Sequence, residues 1–270
     1  MAHHPWPVIL IPGGILPARP AYEALLRELG DEVDAHAKDL EMYAGSKVPP
    51  PGYALESEVE GILRTAADAG FETFHLVGYS AGGASSLAFT SLYPERLRSL
   101  ALMEPAWAGR EGQSAEEAAV FDRFWAIPRL PADQIMTAFV RTQLADGVEP
   151  SPGPPEPPPP WMPSRLLGIG GFLAAFEAFQ PDLDVFRRFS RPVYFALGGR
   201  GNPDLYARMG ARLGEVFPDF TLDVYDERHH FDPPHRIEPA RVAAALRDLW
   251  SRAESLDGGR SYGEWPTARD

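Results

Sequence analysis

An α/β fold is what this sequence predicts: a doubly wound, mostly parallel sheet of about six strands with an inserted helical cap. Short apolar runs alternate with helix-period segments over residues 8–103 and again over 192–250. Several runs, such as 8–11, are apolar at every position, as in parallel strands covered on both faces. The alternation then stops between Glu104 and about Arg191, which leaves room for an insertion.

The 270 residues suit one large domain with an insertion, and 44% apolar with 11% aromatic residues supplies a sizeable core. The net charge of −13 and the lack of a basic cluster argue against nucleic acid and anionic membrane surfaces as partners. With no cysteine there is no disulfide scaffold, thiol nucleophile or zinc–thiolate site. Residues 1–7 lack a basic region followed by a long apolar one, and 8–11 is too short for a signal or a membrane span. A cytoplasmic protein is expected, with a small molecule as its partner and a homodimer allowed.

Taken in order, 8–11 is the first strand, stopped by Pro12-Gly13-Gly14. A helix follows from about Pro20 through Tyr22, Leu25, Leu26 and Leu29 to Gly30. Residues 33–37 read as a weaker strand, 38–51 as a loop, and 55–69 as a helix closed by Gly70. The strand 74–77 runs into Gly78-Tyr79-Ser80-Ala81-Gly82 and a helix to about Tyr93. The strand 97–103 then delivers Glu104 at its carboxyl end.

Within the insertion, Ser114 and Glu117 form a capping box for a helix to about Ala126. Pro131 opens another, with Ile135, Phe139 and Leu144 on one face and Gly147 at its end. Proline dominates 149–163, which predicts a stiff surface loop that Trp161 and Met162 bring back to the body. Residues 166–179 read as a helix, 192–197 as a buried strand, and 203–217 as a helix begun by Asn202-Pro203. The last strand, 220–225, leads into His229-His230, and a closing helix covers about 239–250. The domain reading is therefore a core of 1–106 and 189–254, a cap of 107–188 and a polar tail of 255–270.

A parallel sheet binds its ligands at the carboxyl ends of its strands. Pro12–Gly14, Ser80, Glu104, 198–202 and His229/His230 all fall at such ends. A serine on a tight strand-to-helix turn is forced outward, and flanking glycines remove side chains that would collide with strand and helix. The next amide then opens a helix and can face a developing negative charge.

With this order of parts the chain resembles the α/β-hydrolases, over nearly its whole length and without the short leading antiparallel strands of many members. The resemblance implies that Ser80 is the nucleophile and His230 the base, with His229 as the alternative base. The common pattern also places an aspartate after the strand 192–197, and here that turn reads Gly198-Gly199-Arg200-Gly201-Asn202-Pro203-Asp204. Some members take the acid from the strand after the nucleophile helix, where this chain has Glu104. Glu104 is preferred because an unpaired carboxylate ending a buried strand is costly. Asp204 is the alternative acid.

The oxyanion hole is expected from the amides of Ala81 and Gly14. Tyr79, Trp107, Trp125, Phe139 and Trp161 are the expected pocket side chains, with Phe121, Phe124, Phe172 and Phe176 adding apolar lining or cap core. No metal or other cofactor is implied. The expected activity is serine hydrolysis of an ester, lactone or thioester of a small to medium, mostly apolar substrate. The same triad serves carbon–carbon bond hydrolysis, lyase or cofactor-free oxygenase chemistry, and a retired scaffold would serve as a binding protein.

Overall fold

The computed structural model describes residues 5–150 and 157–258. Six parallel strands form one sheet: β1 (Trp6–Ile11), β2 (Val33–Ala37), β3 (Phe74–Tyr79), β4 (Leu97–Met103), β5 (Val193–Gly198) and β6 (Phe220–Tyr225). Their order is β2-β1-β3-β4-β5-β6. Apolar runs without alternation arise because both faces are covered, and successive residues serve opposite layers. In β1, Val8 and Leu10 pack in one layer, and Ile9 and Ile11 in the other. In β5, Tyr194 and Ala196 face one layer, and Val193 and Phe195 the other.

One layer is built from α1 (Ala18–Leu29) and, at the chain's far end, α9 (Pro234–Ile237) and α10 (Pro239–Gly258). The opposite layer uses α2 (Leu55–Asp68), α3 (Ala81–Leu92) and α8 (Arg208–Val216). Four helices lie between β4 and β5: α4 (Ala115–Ala126), α5 (Ala132–Thr142), α6 (Met162–Ala178) and α7 (Leu183–Arg188). Register pairs Ile11 with Gly78, Tyr79 with Met103, and Gly198 with Tyr225. The residues following β1, β3, β4, β5 and β6 therefore emerge along one edge. Among the described residues, no helix is long and apolar enough to cross a membrane.

Several boundaries differ from the sequence reading for identifiable reasons. α5 stops at Thr142 instead of reaching Gly147, because long-range bonds capture the chain beyond it. The Ala145 amide donates to Arg200 O at 3.2 Å, the Gln143 carbonyl accepts from the Asn202 amide at 3.0 Å, and Leu144 bridges Gly201. α6 begins at Met162, inside the stretch expected to be loop, with Pro163 in the first turn where no amide is needed. The short α7 was not expected. Residues 203–207 wind as a wider π-type turn before α8 begins. α10 extends past Trp250 into the expected tail because Ala253 is buried and Glu254 pairs with Arg98 at 2.8 Å. Residues 151–156 of the proline-rich segment and 259–270 of the tail lie outside the described residues.

The insertion is tied to the core by Arg212 of α8. Its guanidinium bonds Glu117 of α4 at 2.8 Å and the carbonyls of Glu111 and Ala108 at 3.0 and 3.2 Å, and both side chains are buried. Removing one member of a buried pair strands the other charge, which costs about 3–5 kcal/mol. Arg212→Met should therefore lower the unfolding free energy by about 3 kcal/mol in denaturant titrations. The double variant Arg212→Met/Glu117→Met should recover most of that loss. A double variant as unstable as the single one would mean that the pair is not what anchors α4.

Candidate active site

Ser80 sits between β3 and α3 with φ 53° and ψ −116°, a region that side chains rarely enter. The glycines beside it make that turn physically open. A Cβ at Gly78 would lie 2.4 Å from Gly82 O, and one at Gly82 would lie 2.2 Å from Ile11 O. The turn is also held from the neighbouring strand. The Ser80 amide donates to Met103 O at 3.1 Å, and the Ala106 amide donates to Ser80 O at 2.9 Å. The Ala81 amide opens α3, where a first-turn N–H has no acceptor within its own helix.

Glu104 follows β4 and also has a positive φ, 45°. Ser80 and Glu104 are the two non-glycine residues with positive φ among the described residues. Glu104 is 1% exposed, and its two oxygens divide their work. Oε1 accepts from the Gly198 amide at 2.8 Å, and Oε2 pairs with His230 Nδ1 at 3.0 Å. The turn after β5 makes space for this reach: a Cβ at Gly198 would lie 2.7 Å from Arg228 O and 3.0 Å from Glu104 Oε1.

His230 comes from the turn after β6 and is 2% exposed. Its Nε2 lies 3.0 Å from Ser80 Oγ. A carboxylate can only accept, so Nδ1 carries the proton and Nε2 is left to accept from the serine hydroxyl. The ring is stacked on Tyr206 with centroids 4.6 Å apart and an interplanar angle of 7°, and it also meets Tyr79 at 5.1 Å. The Tyr79 hydroxyl donates to the His230 carbonyl, and the Tyr206 hydroxyl donates to Gln143 Oε1 at 2.7 Å. Burial, followed by the Glu104 charge, pushes both phenols well above their ordinary range, so both stay neutral donors.

The two alternatives from the sequence are engaged elsewhere. His229 Nδ1 accepts from the Phe231 amide at 3.2 Å, and burial holds its imidazole below the ordinary value. Asp204 lies in the first turn after β5, where its amide donates to the capping Asn202 Oδ1 at 3.0 Å, and its carboxylate accepts from Arg208 Nε at 2.9 Å. Its side chain is 46% exposed.

A narrow, mostly apolar cavity of about 30 Å³, space for the centres of water-sized molecules, adjoins Ser80. Gly14, Ala81, Ala106, Phe121, Phe124, Phe139, Gln143, Ile169, Phe172, Leu173, Phe176 and Tyr206 complete its wall. Of the five expected pocket side chains, only Phe139 lies there. Trp107 is insertion core: it packs edge-on against Phe121 at 4.7 Å, and its indole N–H donates to Phe179 O at 2.8 Å. Trp125 packs behind it at 5.5 Å. Tyr79 lies under His230, and Trp161 flanks Arg165 at the start of α6. Ile169 and Leu173 share an i, i+4 stripe beside Phe172 and Phe176, so helical periodicity could have found them. Gln143 and Tyr206 carry no such signal. Among the described residues, no three histidine or acidic side chains gather as a metal-ion site.

Below Tyr79 lies His235, fully buried, with neither ring nitrogen bonded among the described residues. Its ring sits 4.8 Å from Tyr79 and 5.1 Å from Tyr22. Burial, with smaller contributions from Arg236 and His230, lowers its pKa to about 3. The unfolded imidazole titrates near its ordinary value of about 6.5, so the native state binds fewer protons between these values. Stability is thus full above about pH 6.5 and falls toward pH 3, by up to about 1.4 kcal/mol per pH unit. Urea midpoints of His235→Phe should decline less than those of the wild type between neutral pH and pH 5. Parallel declines would remove His235 as the source.

Comparison with known proteins gives a consistent fold. The family model described as alpha/beta hydrolase fold matches residues 7–138. A search of curated proteins found no match. Among solved structures, a bacterial membrane phospholipase A is 18% identical with a TM-score of 0.69, over 93% of this chain and 80% of that one. A thermophilic esterase from Thermogutta terrifontis is 19% identical with a TM-score of 0.68, over 92% and 90%. The 2-hydroxy-6-oxo-6-phenylhexa-2,4-dienoate hydrolase of Rhodococcus sp. strain RHA1 is 18% identical with a TM-score of 0.62, over 92% and 91%. Likeness at this identity speaks for the fold alone.

Proposed function

Because this chain is an α/β-hydrolase-fold protein, we propose that it is a serine hydrolase cleaving an ester, lactone or thioester of a small, mostly apolar substrate. The observation that carries this reading is one imidazole engaged on both sides, with Ser80 Oγ and Glu104 Oε2 each 3.0 Å from its ring nitrogens. A free serine hydroxyl is a poor nucleophile and needs such a base. Ser80 Oγ attacks the carbonyl carbon while His230 Nε2 takes its proton. Glu104 keeps the proton on Nδ1 and stabilises the imidazolium. The oxyanion is held by the Ala81 amide and that of Gly14, both of which line the cavity. His230 then protonates the leaving group, and water, deprotonated by the same nitrogen, hydrolyses the acyl-enzyme.

Residues 107–188 act as a cap in this reading. Phe121, Phe124 and Phe139 on one side and Phe172 and Phe176 on the other present an apolar wall to the acyl group. Because these helices wall the space beside Ser80, larger acyl groups would be accommodated by their parting. The second reading is carbon–carbon bond hydrolysis with the same residues, favoured by the likeness to the dienoate hydrolase. The two separate in a substrate panel that pairs short-chain esters and lactones with a vinylogous 1,5-diketone acid.

Ser80→Ala should abolish turnover and the acyl-enzyme burst. Glu104→Gln should lower kcat by roughly 10⁴-fold, as expected when the imidazole loses its orienting carboxylate. Asp204→Asn should leave kcat near that of the wild type. A crippled Asp204→Asn beside a nearly normal Glu104→Gln would reverse the assignment of the acid.

A further inference from the structure

The Gly14 amide belongs to a loop with two consecutive glycines, whose backbone is intrinsically free to rotate. Two hydrogen bonds restrain it from outside. The Pro12 carbonyl accepts from the Gly82 amide at 3.0 Å, and the Gly14 carbonyl accepts from the Tyr43 hydroxyl at 2.6 Å. Peptide units are planar, so holding the carbonyls on both sides limits how far the intervening Gly14 N–H can swing.

Tyr43 is itself built in. It closes a turn whose Glu41 and Met42 amides bond the buried Glu58 carboxylate at 2.9 and 3.0 Å, and the Tyr53 hydroxyl joins the same carboxylate at 2.8 Å. On its other side Arg165 of α6 lays its guanidinium over the Tyr43 ring, 3.8 Å from the centroid. Arg165 is 4% exposed, and its Nε and Nη1 meet no acceptor among the described residues. Its nearest carboxylate is Asp39 at 3.9 Å, and that group already accepts from the Ala18 amide at 2.7 Å. The Tyr43 ring is therefore the main partner of this guanidinium among the described residues. Burial keeps the Tyr43 phenol neutral, with Arg165 opposing, so it remains a donor to Gly14.

We propose that Tyr43, backed by Arg165, is a positioning residue that fixes the oxyanion loop and ties its geometry to helix α6. This rests on the serine-hydrolase reading. Because α6 also supplies Ile169, Phe172, Leu173 and Phe176 to the cavity wall, a substrate that seats correctly under α6 meets an oxyanion amide already aimed.

The test is Tyr43→Phe, which keeps the ring under Arg165 and deletes the hydroxyl's bond to Gly14, together with its longer contact, 3.4 Å, to the Arg165 carbonyl. Losing an oxyanion donor outright costs roughly 10²–10³-fold in kcat, so loosening one should cost about ten- to a hundredfold with KM little changed. Inhibition by a trifluoromethyl ketone, whose hemiketal oxygen occupies the same place, should weaken by the same factor as kcat/KM. Arg165→Lys, which keeps charge but loses the flat stack, should show a smaller loss in the same direction. Rates are counted per active site titrated with a fluorophosphonate, and the thermal midpoint is read on the same samples. An unchanged kcat and unchanged ketone inhibition in Tyr43→Phe would overturn this proposal alone. Wild-type protein that takes no fluorophosphonate at Ser80 would overturn the hydrolase reading and this proposal with it.

Discussion

His230 arrives from the turn after β6 and crosses toward β4 and β3, and both its ring nitrogens are engaged at 3.0 Å with almost no exposure. That imidazole sets conditions that the surrounding backbone has to meet. Ser80 and Glu104, its two partners, are the non-glycine residues driven to positive φ among the described residues. Such conformations cost of order 1–3 kcal/mol each. Bonds around the turns compensate: Ser80 N to Met103 O, Ala106 N to Ser80 O, and Gly198 N to Glu104 Oε1. The strain is concentrated at the two residues that must touch the imidazole and is absorbed by the strand ends beneath them.

The surroundings of the ring extend the same logic. Tyr206 covers one face and Tyr79 approaches from the opposite layer of the sheet. Each phenol spends its hydroxyl on a fixed acceptor, Gln143 in one case and the His230 carbonyl in the other. Tyr206 stands on the wide turn that interrupts the start of the helix after β5, and Gln143 follows the early end of α5. Both irregularities therefore serve one contact, by which the helices between β4 and β5 reach the His230 ring through side chains from two parts of the chain.

Much of this was legible in the sequence, and the legible parts share a cause. Strand cores such as 8–11 and 100–103 are apolar because both faces are buried, so their ends could be placed, and with them Ser80, Glu104 and His230. Glu104 was preferred over Asp204 because an unpaired carboxylate ending a buried strand is costly and because Asn202-Pro203 reads as a helix start, and Asn202 Oδ1 does accept from the Asp204 amide. Trp107 and Trp125 were misplaced because an aromatic residue in an insertion packs equally well against its neighbours or against a ligand, and composition does not tell the two apart. The end of α5 was misplaced because bonds to Arg200 O and Asn202 N, far away in sequence, override local helix signals. Tyr43 left no trace at all, since a tyrosine in a polar loop has no period, and its acceptor is a backbone carbonyl.

The most direct measurement of the central claim is the pH dependence of the rate at which fluorophosphonate modifies Ser80, followed by mass spectrometry of the labelled peptide. A single ionisation should govern the rate, the rate should collapse in His230→Ala and Glu104→Gln, and Asp204→Asn should overlay the wild type. Labelling that persists at the wild-type rate in Glu104→Gln would contradict the account.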